Sequence, residues 1–209
     1  MGAPTKIFIV DSDESVVAIV RAIAEEMQVP CESFVQAEAF LTAYEGNRPG
    51  CLVTEIRLLG MNGIELQEML AADCSSLPVI FVTGHAETRL SVRAMQNGAI
   101  TVLEKPLSLQ ELWDAVRQAL THDQKTRRLD AKHSDVRRRL AHLTKKERHV
   151  LDLMIQGKAN KVIASRLNVS LRTVEARRHQ IFKKTKTDSV AELVRLILMP
   201  GSDDDSAES

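Results

Sequence analysis

The chain has 209 residues, 44% of them apolar, enough to fill two ordinary hydrophobic cores. Its net charge is zero, but residues 1–120 carry 8 basic against 16 acidic side chains, residues 121–199 carry 20 against 8, and residues 200–209 carry 4 acids and no base. This predicts an acidic module joined to a basic one suited to a polyanion; three scattered cysteines (Cys31, Cys51, Cys74) argue against a disulfide frame or zinc site, and no apolar run of signal or membrane length occurs, so a cytoplasmic protein with no membrane partner is expected.

In chain order, short apolar runs alternate with amphipathic stretches over the first 120 residues. The runs are IFIV (7–10), CESF (31–34), CLVTEI (51–56), VIFV (79–82) and ITVL (100–103). Helical spacing joins Val16, Val17, Val20, Ile23 and Ala24; then Ala37, Phe40 and Leu41; Leu66, Met69 and Leu70; Leu90, Val92, Ala94 and Met95; and Leu109, Leu112, Val116 and Leu120. Five strands alternating with five helices predict a parallel sheet covered on both faces, with function beyond the carboxyl ends of the strands.

At those ends the chain places Asp11-Ser12-Asp13, Glu55, Thr83-Gly84-His85 and Glu104-Lys105-Pro106. Carboxylates, a hydroxyl and a lysine at one rim suit a phosphoryl group or a cation. No GxGxxG or GxxxxGK[ST] occurs, so neither a dinucleotide nor an NTP site is supported.

The segments IFIVDSDE, CLVTEIRLLGMNGIEL, LPVIFVTGHAE and AITVLEKPLS, in that order and spacing, resemble the receiver domain of bacterial two-component response regulators over residues 5 to about 120. The resemblance implies a flavodoxin-like fold and a pocket of Asp11, Ser12, Glu55, Thr83 and Lys105. In that family the strand-three residue is a phosphoaccepting aspartate, an acidic pair after strand one holds Mg²⁺, and a Thr or Ser and a Lys read the phosphoryl oxygens. Here Asp11, Thr83 and Lys105 match. Glu55 replaces the aspartate, Ser12 the second acid, Val102 the usual switching aromatic and Leu59 the usual loop proline.

Glu55 is one methylene longer than aspartate, which moves its oxygens roughly 1.5 Å. In-line attack tolerates little misplacement, about 1 Å costing around a hundredfold in rate. The loss of a hard oxygen ligand at Ser12 weakens Mg²⁺ as well, so its binding is expected to be weak or absent and no cofactor is predicted. Two readings of Glu55 stay open: a built-in negative charge that stands in for the phosphoryl group, or a decayed site in which Glu55 only pairs with Lys105.

From Trp113 the last helix of this module is expected to continue through a helical linker, residues 121–140, since no Pro or Gly interrupts residues 107–156. Leu129, Val136 and Leu143 recur every seven residues beside His133 and Leu140, a thin apolar seam.

In the basic half, residues 141–199, Thr144 and Glu147 form a capping box before Val150, Leu151 and Met154, and Gly157 ends that helix. Asn160 is expected to cap a short helix carrying Ile163, Ala164 and Leu167, Asn168 to break it, and Ser170 to cap a third helix from Leu171. With Val174 inward at about 100° per residue, Leu171, Arg178, Ile181 and Phe182 share its side, whereas Arg172, Ala176, His179 and Lys183 lie opposite, flanked by Glu175, Gln180 and Lys186. Such a face suits base edges and phosphates: Glu175, Ala176 and His179 are candidates for base edges, and Lys161, Arg172, Arg177 and Lys183 for phosphates, with Thr173 in the same DNA-binding set.

LTKKERHVLDLMIQGKANKVIASRLNVSLRTVEARRHQIFKKTK closely resembles the LuxR-type helix-turn-helix domain, the output module of the FixJ/NarL branch of response regulators. The resemblance implies a four-helix domain that binds double-stranded DNA as a homodimer, with a sensor kinase or other protein as a possible partner of the receiver. Ser189 and Glu192 begin the fourth helix, whose stripe of Val190, Leu193, Val194 and Ile197 is the candidate dimer contact; Leu196 and Leu198 add a second apolar side. The tail, residues 200–209, reads as disordered. The leading expectation is a DNA-binding transcription regulator, not an enzyme, that works without conventional phosphorylation. The alternatives are a protein-interaction regulator whose DNA binding is silent or partner-controlled, and phosphoryl transfer onto the protein itself.

Overall fold

A computed structural model describes residues 4–46, 48–73, 75–84 and 88–197. Cys74, His85, Leu198 and the acidic tail lie outside them. The chain divides into two units, Met1–Arg128 and Leu129–Ser209.

In the first unit the apolar runs become strands β1 (Lys6–Val10), β2 (Cys31–Phe34), β3 (Gly50–Glu55), β4 (Val79–Thr83) and β5 (Thr101–Glu104). Among the described residues they form one parallel sheet in the order β2-β1-β3-β4-β5. The order reverses between β1 and β3, so the carboxyl ends of those strands flank the crevice where such sheets bind ligands. Helices α1 (Glu14–Glu26), α2 (Ala37–Ala43), α3 (Gly63–Ala72), α4 (Thr88–Gln96) and α5 (Leu109–Ala141) connect and follow the strands.

Both sheet faces are buried, which is why the strands read as continuous apolar runs. On one face Ile7, Ile9, Val53 and Ile80 meet Val16, Val20 and Ile23 of α1 and Leu112 and Val116 of α5. On the other, Phe8, Leu52 and Phe81 meet Phe40 of α2 and Ile64, Leu66 and Leu70 of α3. The α1 residues expected inward are the ones buried. In α4 only Ala94 is; Val92 and Met95 are each 48% exposed, and Met69 of α3 and Leu109 of α5 are also exposed.

The second unit holds the end of α5 followed by α6 (Lys145–Ile155), α7 (Asn160–Arg166), α8 (Leu171–Thr185) and α9 (Val190–Ile197). Val150, Leu151, Met154, Ile163, Val174, Ile181 and Leu193 form its core. The Thr144/Glu147 capping box opens α6, and Gly157, at φ +71°, closes it in a conformation that suits glycine. Ser170 accepts from the Thr173 N–H and starts α8. Asn160 does not cap α7: it is the first helical residue, and Ala159 holds the cap position with no side-chain hydrogen bond. At α9, Ser189 accepts from Glu192 N–H, but the Glu192 carboxylate reaches back to Asp188 N–H instead of Ser189 N–H.

The seam along α5 divides as well. Val136 and Leu143 are buried, with Leu143 in the core of the second unit, whereas Leu129 is 49% exposed.

Candidate functional site

The rim of the first unit is built by strand ends. Glu55 closes β3, and the loop after it returns tightly: Gly63 N–H donates to Ile56 carbonyl, and a Cβ on Gly63 would sit 2.3 Å from the Glu55 carbonyl oxygen. Only glycine permits α3 to start that close to the strand end. Thr83 ends β4, is 1% exposed, and its carbonyl accepts from Lys105 N–H at 2.8 Å, which sets Lys105 beside it at the end of β5.

The lysine is the centre of the rim. Its Nζ lies 3.2 Å from Asp11 Oδ2, 3.2 Å from Asp13 Oδ2 and 3.1 Å from Glu55 Oε2. The other oxygen of Glu55 turns back to its own loop, accepting from Ile56 N–H at 2.8 Å and Arg57 N–H at 3.3 Å. Asp11 Oδ1 accepts from Asp13 N–H. Burial pushes the Asp11 carboxyl above its ordinary value, against the pull of the Asp13 N–H and Lys105. Asp13 falls to about 2, held down first by the Ser15 hydroxyl and then by Lys105. Burial on its own would depress Lys105, but the Glu55 hydrogen bond and the charges of Asp11 and Glu55 outweigh it and raise its pKa.

Four of the five residues expected at this pocket, Asp11, Glu55, Thr83 and Lys105, stand at the rim. Ser12 does not join them: it is exposed and outside the network. Sequence reading missed Asp13, whose carboxylate caps α1 through Ser15 N–H and reaches Lys105. The signal was present in the run Asp11-Ser12-Asp13, where the strand ends and a helix needs an N-cap.

An octahedral Mg²⁺ needs oxygens about 2.0–2.1 Å away on several sides. Here the three carboxylates surround an ammonium, and among the described residues no group of three Asp, Glu, His or Cys side chains could hold a metal ion. As placed, the Lys105 ammonium occupies the space between these carboxylates.

In the second unit, α7 and α8 are joined by a short turn through Asn168, at φ 50°. The inward side of α8 is Val174 and Ile181, both fully buried, with the Arg178 guanidinium 5.7 Å from the Phe182 ring centroid. Leu171, expected inward, is 40% exposed. Arg172, Glu175, Ala176, His179 and Lys183 are exposed along the other side, Lys161 is exposed on α7, and Arg177 is half-buried. Among the described residues, none of the charged members of this set makes a hydrogen bond or ion pair. Thr173 differs: its hydroxyl lies 2.8 Å from Ser170 Oγ, in the helix cap. Beneath the face, Lys184 is held by Glu147 at 2.6 Å, tying α8 to the start of α6.

The α9 stripe divides by burial. Leu193 is fully buried in the core of its own unit, and Val190 and Ile197 pack against that core, so these three stabilise the unit and Leu193 is closed to a partner. Val194 and Leu196, both half-buried, are the large α9 apolar residues outside that core.

Comparison with known proteins places these two units together. The response regulator receiver domain family matches residues 7–117, and the family of bacterial regulatory proteins of the luxR type matches residues 141–197. The transcriptional regulatory protein FixJ of Bradyrhizobium diazoefficiens is 33% identical over 93% of this chain and 95% of its own length. The structure of the response regulator StyR superposes with a TM-score of 0.85 at 37% identity, over 93% of this chain and 98% of that one. Full-length FixJ from B. japonicum superposes with a TM-score of 0.57 at 32% identity, over 95% and 98%. No helix among the described residues is long and apolar enough to cross a membrane. The chain therefore belongs to the FixJ-type response regulators, transcription regulators that join a receiver domain to a LuxR-type DNA-binding domain.

Proposed function

We propose that this regulator binds specific DNA without conventional aspartyl phosphorylation of its receiver, its pocket being filled by its own charges. The observation that carries this reading is the Lys105 ammonium held by Asp11, Asp13 and Glu55 at 3.1–3.2 Å. In a phosphorylated receiver the lysine answers the phosphoryl oxygens; here a carboxylate one methylene longer than aspartate already answers it. Glu55 also spends its second oxygen on two backbone N–H groups, which lowers its nucleophilicity and turns it away from in-line attack.

The DNA-facing part is the exposed side of α8. Arg172, Arg177, Lys183 and Lys161 bind phosphates and set register, while Glu175, Ala176 and His179 meet base edges in the major groove. A homodimer presents two such helices to a two-part site, with the α9 residues Val194 and Leu196 the ones left for that contact.

The test is intact mass and DNA affinity after incubation with acetyl phosphate and Mg²⁺. The chain is expected to gain no phosphate and to bind its site with unchanged affinity. A mass gain that Glu55→Ala abolishes, together with tighter DNA binding, would overturn the reading.

A second reading, a receiver that works by holding a protein partner such as a sensor kinase, is favoured by one observation. An open groove of about 670 Å³ lies between α4 and β5, lined by Ser91, Val92, Met95, Thr101 and Val102 among others. Val102 stands where the family's bulky switching aromatic would fill it.

A further inference from the structure

Helix α5 (Leu109–Ala141) carries two Asp–Arg pairs at the same i, i+4 spacing, 123/127 and 135/139, with Asp135 also shared by Arg138. In the first, Asp123 is 2% exposed and its carboxylate accepts a bifurcated contact from Arg127 Nε–H, at 2.7 and 2.9 Å, and the Gly50 N–H at 3.0 Å. Arg127 then donates through Nη2 to the Arg48 carbonyl. Gly50 is the first residue of β3, and a Cβ there would strike the Lys6 carbonyl oxygen at 1.8 Å, so the carboxylate reaches bare backbone at the foot of the sheet.

In the second pair, Arg139 holds Asp135 and donates from Nη1 to the Thr185 carbonyl at 3.2 Å. Thr185 is the last residue of α8 and fully buried, and the chain turns there through Lys186 in the left-handed region. The last carbonyls of a helix have no partner of their own, and a buried one needs a donor. Arg139 supplies it, and with it a positive charge at the negative end of the helix dipole.

Each arginine is thus held by the aspartate one helical turn before it and aimed at a backbone carbonyl of its own unit. Between the pairs, residues 128–134 differ: all but His133 are exposed, and none of their side chains makes a hydrogen bond or ion pair. Asp130, His133 and Ser134 are weak helix formers.

We propose that these are two latches, Asp123–Arg127 fixing α5 to the receiver and Asp135–Arg139 fixing it to the end of the recognition helix, with residues 128–134 of α5 joining them. Arg139 is a positioning residue for α8: it touches no DNA but holds the helix whose exposed face does. The DNA arm of this inference rests on the reading of α8 given above; the latches themselves do not.

The experiment is amide hydrogen exchange by mass spectrometry on the full-length chain, with DNA affinity measured in parallel. Arg127→Met should speed exchange at least tenfold in residues 120–128 and leave 135–141 and 181–187 as in the parent. Arg139→Met should speed exchange at least tenfold in 136–141 and in the last turn of α8, leave 120–128 unchanged, and weaken DNA binding about tenfold. Arg139→Lys keeps the charge but cannot span Asp135 and the Thr185 carbonyl with one planar fork; it should show the same pattern at about threefold, and it carries the test if Arg139→Met does not fold.

Unchanged exchange at these peptides, or an acceleration spread evenly over 109–141 from either substitution, overturns the two latches. Faster exchange in Arg139→Met with parental DNA affinity overturns the positioning role. Parent protein that binds no DNA would count against the DNA-binding reading alone, since the exchange arms need none.

Discussion

The receiver rim and the outer face of α8 are both rich in charge, and they spend it in opposite ways. At the rim, one ammonium answers three carboxylates within 3.2 Å, and the carboxylates take backbone N–H groups besides. Along α8, Arg172, Glu175, Arg177, His179 and Lys183 have no hydrogen-bond or ion-pair partner among the described residues. A charge satisfied internally stabilises the fold and resists a ligand that would compete for it. An unpartnered charge on a rigid helix contributes little to folding and is available to a partner. On the proposed reading, this contrast gives one chain an acidic module closed to phosphate and a basic one open to DNA.

The largest effect should come from removing the central cation. Lys105→Met leaves Asp11, 4% exposed, facing Glu55 and Asp13 with no counter-charge. Breaking a buried pair on one side costs about 3–5 kcal/mol. The rim opens to water at Asp13, so about 3 kcal/mol is expected, read as a shift of the receiver's urea transition.

On α8 the same kind of change should leave stability alone and alter binding. Glu175→Ala or His179→Ala should change which base is preferred at one position, by about 1–3 kcal/mol, whereas Lys183→Ala should weaken all sequences alike and lower the salt slope by about 1. Binding to a selected site, its single-base variants and a salt series distinguishes the two outcomes. Equal loss across all sequences for Glu175→Ala would remove it from the base-reading set.

Acidity sharpens the comparison. Asp13, with its folded pKa depressed to about 2, contributes stability that is present above its ordinary value near 3.8 and lost as pH falls through about 2. Asp11 has the opposite sign: its raised pKa means protonation favours the folded state. Lys105, raised, contributes stability that is full below its ordinary value near 10.5 and lost as pH rises through its higher folded value. Carboxyl-carbon NMR titration should place Asp13 at about 2 and Asp11 above the common aspartate range, with both moving up in Lys105→Met. The smallest effect is local: Ser170→Ala removes the α8 N-cap and should cost about 1 kcal/mol in the DNA-binding unit alone, measured by thermal unfolding.

Much of the fold was legible because the physics is periodic. The inner strands β1, β3 and β4 are apolar runs buried on both faces, and α1 buries the five residues its spacing selects. What was not legible depends on partners far away in sequence. Val92 and Met95 carry the same pattern as buried residues, but the groove between α4 and β5 leaves them exposed. Leu193 reads as part of a dimer stripe until the core of its own unit is assembled around it. Asp123 and Arg127 fall in the helical linker by sequence, and only the backbone at Gly50 and Arg48, more than 70 residues earlier, shows that they are paired with the receiver. The pocket was legible in kind, since Asp11, Glu55, Thr83 and Lys105 end successive strands. The place of Asp13 in it was set by a helix cap, which a list of strand-end residues does not show.

The central claim is that the protein is competent for DNA as made, and the most direct measurement is selection from random double-stranded DNA by purified, untreated full-length chain, read by sequencing. The account predicts enrichment of a paired half-site with no phosphodonor present, and the same enrichment after acetyl phosphate treatment. Enrichment that appears only after phosphodonor treatment would contradict it.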